Sequence, residues 1–216
     1  MTFTVLAVCA ANVCRSPLVA ALLLQDLGGA ADDDVWVTSA GVSAVDGQPM
    51  CRTMARLDLP DGRSPLLERA VLEAHRSRRV TTDLVRGADL VLAADRHVRS
   101  EVVKLEHRAA DRTFTLREAA QLSNQAPFDV EGHTLSDRLR AMTDALNRSR
   151  GFAELPRVAR VPVLAPPWRW PRVHAHDVPD AHLREQAPHR LVHDLAVRAA
   201  GQLAARVAVT TEGRRA

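Results

Sequence analysis

Tyrosine is absent from the 216-residue sequence, and aromatic residues make up only 3% of it. The core must therefore be built from Leu, Val and Ala, and the 46% of hydrophobic residues is enough to build one. The sequence also lacks an apolar run of about 18 residues, which a membrane-spanning helix needs. It has no basic leader with a small-residue cleavage site. We therefore expect a cytoplasmic protein that does not insert into a membrane.

Cysteine is scarce. The three cysteines, Cys9, Cys14 and Cys51, are too few for a disulfide scaffold, and an odd number cannot all pair within one chain. The net charge is only +3, and the basic residues are scattered apart from a short run at 76–79 that is typical of a solvated helix face. Nucleic-acid binders carry a basic stripe with interleaved aromatics, so we expect no nucleic-acid partner. His189 and His193 have helical spacing but no accompanying ligand set, so we expect no metal and no other cofactor.

Short apolar runs alternate with stretches of helical character in the first half of the chain. Strands are expected at Phe3 to Val8, Val35 to Thr38, Asp89 to Ala93 and Thr113 to Leu116. Helices are expected from an N-cap at Ser16 to Gly28, from about Leu66 to Arg79, at Leu84 to Gly87 and at His97 to Glu106. This alternation predicts an α/β fold, in which a parallel sheet is covered by helices on both faces.

The pattern changes after Gln121. Apolar residues at helical spacing predict an amphipathic helix from Leu135 to Arg148, and the Pro-rich tract VPVLAPPWRWPRV is expected to be loop or extended chain. A last helix is expected from Pro188 to about Val207. We expect a single domain over residues 1–209, with an insertion at about 121–176 and a flexible basic tail at 210–216.

The segment from Cys9 to Ser16 lies where open parallel sheets bind their ligands, between the carboxyl end of a strand and the start of a helix. The helix N-terminus offers free backbone N–H groups and partial positive charge to a phosphate dianion. Arg15 adds a bidentate fork for phosphate oxygens, and the same field favours the thiolate form of Cys9. A thiolate, a guanidinium and a ring of N–H donors predict a phosphoryl-transfer site.

The segment VCAANVCRSP resembles the signature of the low-molecular-weight protein tyrosine phosphatases, a C-x5-R-[ST] loop near the N-terminus. The resemblance continues at Ser39-Ala40-Gly41, at His75-Arg76, at ADLVLAADRHV and at DVPDAH, in the order of the family. It implies a three-layer α/β/α fold with a four-stranded parallel sheet, a phosphocysteine intermediate and no metal.

The resemblance also assigns roles to the loop residues. Cys9 is the nucleophile and Arg15 the catalytic clamp, and the loop binds phosphate through Ala10, Ala11, Asn12, Val13, Cys14, Arg15 and Ser16. Ser16 would hydrogen-bond the thiolate. Asn12 would support the loop with help from Ser39 and His75, and Asp95 would shape its electrostatics. Cys14 would be the redox partner of Cys9, forming a reversible disulfide that protects the nucleophile.

The general acid of the family is the Asp of a late Asp-Pro dipeptide. Here Asp180 holds that position, but Ala181 replaces the proline and His182 the usual aromatic residue. Asp180 is our expected acid, and Asp177 is the alternative.

The expected function is hydrolysis of phosphotyrosine in a protein substrate by a monomer or weak dimer. A protein-arginine phosphatase is an alternative, although such relatives carry threonine where this sequence has Val13. A thioredoxin-coupled arsenate reductase would need two cysteines after the third strand, whereas Cys51 is single and upstream. A weakly catalytic phosphate-binding module is the third alternative, because Ala11 would be strained if the loop needs a positive φ there.

Overall fold

The central strand β1 (Phe3–Cys9) is apolar and almost fully buried, because parallel strands pair with both of its edges and helices pack on both of its faces. The computed structural model describes residues 2–28, 34–57, 72–125, 134–151, 158–160, 172–182 and 187–208. The other strands of the sheet are β2 (Val35–Gly41), β3 (Leu90–Ala93) and β4 (Thr113–Thr115). They are all parallel, in the order β2-β1-β3-β4, which confirms the predicted four-stranded sheet.

Helices cover both faces of this sheet. They are α1 (Arg15–Gly28), α2 (Arg52–Ala55), α3 (Thr82–Arg86), α4 (Arg96–Leu105), α5 (Leu116–Gln125), α6 (Leu135–Ser149) and α7 (His189–Ala208), with a 3₁₀ helix at His107–Arg112. Two short antiparallel strands, β5 (Val158–Arg160) and β6 (Arg172–His174), pair outside the main sheet. No helix of the described ranges is long and apolar enough to cross a membrane.

The alternation of side chains along β1 divides the core into two layers. Phe3, Val5 and Ala7 pack on one face against α1, α5, α6 and α7, and Leu6 and Val8 pack on the other face against α3 and α4. The three-layer α/β/α architecture implied by the resemblance is therefore confirmed. It places the carboxyl end of β1, and the loop that follows it, at one edge of the sheet.

The helix expected from Leu66 to Arg79 is only partly seen. Residues 72–74 are helical, residues 66–71 lie outside the described ranges, and the prediction is wrong for residues 75–79. There the chain runs beside the end of β2, where the amide of Gly41 donates to the carbonyl oxygen of Arg78 (3.0 Å) and the carbonyl oxygen of Gly41 accepts from the amide of Val80 (2.9 Å). Pairing with the sheet edge satisfies the backbone that a helix would otherwise have satisfied, so the basic run 76–79 is not a helix face.

The described part of the predicted insertion contributes to the main core. Residues 121–125 complete α5, a helix that the sequence patterns did not predict from Leu116 onward. The apolar face of α6 consists of buried residues in the same cluster as α1 and α7, namely Leu135, Leu139, Met142 and Leu146. The Pro-rich tract lies outside the described residues except for its last two, which belong to β6, and the tail at 210–216 lies outside them as well.

Candidate active site

The loop between β1 and α1 is held against the segment that follows β2. The amides of Val42 and Ser43 donate to the carbonyl oxygens of Cys9 and Ala10, at 3.0 and 2.9 Å. Gly41 lies so close beneath the loop that a Cβ at this position would be 2.5 Å from the oxygen of Ala10. The conformation of the loop therefore depends on glycine at position 41, at the end of β2, where there is no side chain to displace the loop.

The sulfur of Cys9 accepts two hydrogen bonds from the loop. The donors are the amide of Asn12, at 3.2 Å, and the hydroxyl of Ser16, at 3.1 Å. The Ser16 hydroxyl also lies 3.2 Å from the carbonyl oxygen of Ala40. The N-cap predicted at Ser16 is wrong, since α1 already begins at Arg15 and the Ser16 hydroxyl is directed to the sulfur. Donors on a buried sulfur stabilise its anionic form.

Asn12 carries the unusual backbone conformation of the loop. Its φ of 54° lies in the left-handed region, and Ala11 has no positive φ, so the strain expected at Ala11 is not present. The side chain compensates, because its Nδ2 donates to the hydroxyl oxygens of Ser16 and Ser39, both at 2.9 Å. Its Oδ1 accepts from the amide of Arg78 at 2.9 Å. Asn12 is fully buried, and all of its side-chain bonds are internal.

Two residues from the segment before α3 complete this support. His75 Nε2 lies 2.7 Å from the carbonyl oxygen of Asn12, so the ring donates to it. This bond by itself would raise the pKa of His75, but burial outweighs it and lowers the pKa. The neutral form of the ring is therefore favoured. Arg78 reaches back to the end of β2, where Nε donates to the carbonyl of Ser39 at 2.9 Å and Nη2 contacts Thr38. No spacing signal in the sequence marks Arg78.

Arg15 is buried, with 2% of its surface exposed, and both of its terminal nitrogens have partners. Nη1 donates to Asp95 Oδ2 at 2.7 Å and to the carbonyl of Val178 at 3.0 Å, while Nη2 forms an ion pair with Asp180 Oδ2. Burial by itself would lower the pKa of Arg15, but the charges of Cys9, Asp180 and Asp95 outweigh it and raise the pKa. The guanidinium is therefore a permanent cation at the start of α1.

The two candidate acids occupy different positions. Asp180 contacts Arg15, and its Oδ1 accepts from the amide of His182 at 2.8 Å in a local turn. Asp177 instead binds Arg96, the first residue of α4, through the amide at 3.0 Å and through Nη2 at 3.1 Å. The structure thus brings Asp180 to the loop between β1 and α1, whereas Asp177 anchors its own loop to α4.

Asp95 has two bonds that fix its carboxylate. One oxygen accepts from the amide of Val98 at 2.8 Å and caps α4, and the other binds Arg15. An N-cap that also orients the guanidinium couples the start of α4 to the site.

Cys14 is buried, with 4% of its surface exposed, and none of the three cysteines forms a disulfide in the structure. Burial, reinforced by the nearby Cys51 and Cys9, raises the pKa of Cys14 far above its ordinary value. Its role as redox partner of Cys9 stays a prediction.

The family model for low molecular weight phosphotyrosine protein phosphatase matches residues 4–152 of this chain. The chain belongs to this family. Membership confirms the resemblance found in VCAANVCRSP, and the chain is an enzyme of the hydrolase class, a low-molecular-weight protein tyrosine phosphatase by type.

Two relatives of this phosphatase show the range of the family. The probable low molecular weight protein-tyrosine-phosphatase EpsP of Ralstonia nicotianae is 32% identical over 128 residues, which are 59% of this chain and 80% of that protein. The protein-arginine-phosphatase of Geobacillus stearothermophilus is 34% identical over 119 residues, which are 55% of this chain and 72% of that protein.

Solved structures of similar fold cover almost the whole phosphatase. The tyrosine phosphatase Wzb from Escherichia coli K30, in complex with phosphate, has a TM-score of 0.57 at 18% identity and aligns 96% of this chain with 99% of that one. YfkJ from Bacillus subtilis has a TM-score of 0.59 at 15% identity, and the alignment covers 98% of both chains. These similarities show the fold.

Proposed function

We propose that this phosphatase hydrolyses phosphotyrosine in protein substrates through a phosphocysteine intermediate on Cys9. The observation that carries the proposal is the pair of hydrogen bonds from the Asn12 amide and the Ser16 hydroxyl to the Cys9 sulfur. They stabilise a thiolate that lies at the start of a helix beside the buried Arg15. A nucleophile, a cation and helix N–H groups thus surround the position of one tetrahedral anion.

In the first step the Cys9 sulfur attacks phosphorus, and the bond from phosphorus to the tyrosine oxygen breaks. Arg15 binds the phosphoryl oxygens and stabilises the charge that they carry in the transition state. Substrate binding precedes this attack: the phosphoryl group displaces Asp180 from the guanidinium, and the freed carboxylate takes up a proton from solvent. Asp180 then gives this proton to the departing oxygen. A phenol has a pKa near 10, so this proton transfer contributes about 10²–10⁴-fold to the rate.

In the second step a water molecule attacks phosphorus and gives a proton to the Asp180 carboxylate. The phosphorus–sulfur bond breaks and its electron pair returns to Cys9, whose thiolate is stabilised by Ser16 at 3.1 Å. The products are tyrosine and inorganic phosphate. When phosphate leaves, Asp180 releases this proton to solvent and pairs with Arg15 again.

The test is to mix the enzyme with a phosphotyrosine peptide, quench in acid during the first turnover and measure the mass of the chain. We expect one added phosphoryl group, located on the peptide that contains Cys9, and no turnover by Cys9→Ser. The same variant should still bind inorganic phosphate, because Arg15 and the loop amides remain. Turnover that survives Cys9→Ser, or a phosphoryl group on another residue, would contradict the proposal.

Protein-arginine phosphatase is the second candidate, because relatives with that name from Geobacillus stearothermophilus and Bacillus subtilis are 34% and 32% identical to this chain. Val13 argues against it, since by family resemblance threonine at this position goes with phosphoarginine. We expect kcat/KM to be higher for phosphotyrosine than for phosphoarginine peptides, and Val13→Thr to shift the ratio toward phosphoarginine. A wild-type preference for phosphoarginine would favour the second candidate, and no turnover of either peptide would favour a phosphate-binding module.

A further inference from the structure

Four side chains of metal-binding type converge next to the loop of residues 9–16, which we call the catalytic loop. They are Cys14, Cys51, His182 and His189, and their ligand atoms all lie within 4.8 Å of one another. Cys51 Sγ is already 3.4 Å from His189 Nε2, and the rings of His182 and His189 meet edge to face with centroids 5.0 Å apart. We define these four residues as the Cys2His2 cluster.

The cluster joins four separate parts of the fold. Cys14 belongs to the catalytic loop, Cys51 precedes α2, His182 follows the candidate acid Asp180, and His189 is the first residue of α7. The sequence analysis considered His189 together with His193, one helical turn away. In the folded chain His189 instead faces Cys51, which is 138 positions away in the sequence.

The donor set fits zinc. Two thiolates and two imidazoles are a typical ligand set of structural zinc sites, whereas Ca²⁺ and Mg²⁺ take oxygen ligands. Tetrahedral zinc separates a sulfur and a nitrogen ligand by about 3.6 Å and two sulfurs by about 3.8 Å, as its bond lengths require. Two nitrogen ligands are about 3.3 Å apart in the same geometry, so no pair of ligand atoms in the cluster needs to move closer by more than about 1.5 Å. Cys14 is buried and His182 is exposed, so the site is closed at Cys14 and open to solvent at His182, where a metal ion can enter.

We propose that the Cys2His2 cluster binds one zinc ion, which ties the loop carrying Asp180 to the catalytic loop. The proposal accounts for the two positions at which the loop carrying Asp180 differs from the family pattern. Ala181 lacks the stiffness of the family's proline, and His182 replaces the aromatic residue. A metal bond to His182 restrains the segment two residues from the acid. The ion takes no part in the phosphoryl transfer itself.

Zinc at this site also changes the redox chemistry expected of Cys14. A sulfur that donates its electron pair to zinc is not free to attack an oxidised Cys9, so the zinc-bound form and the Cys9–Cys14 disulfide exclude each other. Zinc-loaded and zinc-free enzyme should therefore differ in how peroxide inactivates them.

The test uses the full reduced chain, freed of metal and titrated with Zn²⁺ against a chromophoric chelator. We expect one high-affinity equivalent per chain, and Co²⁺ in its place should give the intense visible bands of a tetrahedral thiolate site. Cys51→Ser and His189→Ala should each weaken Zn²⁺ binding by at least about tenfold. The matched controls are Cys9→Ser and His176→Ala, the latter from another edge-to-face histidine pair, and both should bind as the wild type does.

A second measurement needs no variant, in case a substitution prevents folding. One equivalent of Zn²⁺ should slow the alkylation of Cys51 by iodoacetamide, and the rate is measured by mass spectrometry of the Cys51 peptide. An unchanged alkylation rate at Cys51 would overturn the proposal. So would Zn²⁺ binding that persists in Cys51→Ser and His189→Ala but is lost in Cys9→Ser, since the ion would then sit on the catalytic sulfur.

Discussion

Replacing Gly41 with alanine perturbs the contact between the end of β2 and the catalytic loop. The new Cβ would lie 2.5 Å from the oxygen of Ala10, 2.8 Å from the nitrogen of Asn12 and 3.0 Å from the carbonyl carbon of Ala11. All three are backbone atoms, so no side-chain rotation relieves the overlap. Ordinary contacts of a Cβ begin near 3.4 Å, so the loop has to move by about 0.9 Å.

The magnitude follows from the position of the displaced atoms. The Asn12 amide is one of the two donors to the Cys9 sulfur, and a misplacement of about 1 Å in catalytic geometry costs about 10²-fold in rate. We therefore expect Gly41→Ala to lower kcat/KM about 100-fold, for activated and poor leaving groups alike, because the nucleophile and not the acid is affected. The same overpacking should lower the free energy of unfolding by about 1–3 kcal/mol.

The assay combines steady-state kinetics on p-nitrophenyl phosphate and a phosphotyrosine peptide with unfolding in urea. Gly87→Ala is the matched control, because Gly87 has an ordinary φ of −75° at the end of α3 and only Asp83 O, at 3.3 Å, near its added Cβ. This control should stay within about twofold of the wild-type kcat/KM. A Gly41→Ala variant that keeps most of its activity would refute the reasoning that close backbone approach holds the loop.

Three further predictions concern other parts of the molecule. Asp180→Ala should lower kcat/KM, which reports only the steps up to release of the phenol, by about 10²–10⁴-fold for phenyl phosphate and much less for p-nitrophenyl phosphate, with Asp177→Ala nearly unaffected; an equal loss in kcat/KM for both substrates would exclude Asp180 as the acid. After inactivation by mild peroxide, dithiothreitol should restore activity to the zinc-free wild type but not to Cys14→Ser, and equal recovery of the two would exclude Cys14 as the redox partner. Leu146→Ala should cost about 2–5 kcal/mol of unfolding free energy in urea because Leu146 is fully buried in the main core, whereas a loss below about 1 kcal/mol would make α6 peripheral.

The sequence contained the local parts of the fold and of the site. A buried strand, a short loop with Cys9 and Arg15, and an adjoining helix are contiguous, so periodicity and turn chemistry were enough to predict them. The alternation of apolar runs with helices predicted the parallel sheet for the same reason. The helix expected through residues 75–79 failed because pairing with the end of β2 overrides a helical pattern.

Only the tertiary structure decided how distant segments meet in the site. The family resemblance favoured Asp180 over Asp177, but only the packing shows that Asp180, 165 positions away from Arg15, contacts its guanidinium while Asp177 binds Arg96. The same holds for Cys51 and His189, which no spacing rule connects. The physical reason is that local propensity acts over a few residues, whereas the direction of a side chain in a site depends on elements that become neighbours only when the core has formed.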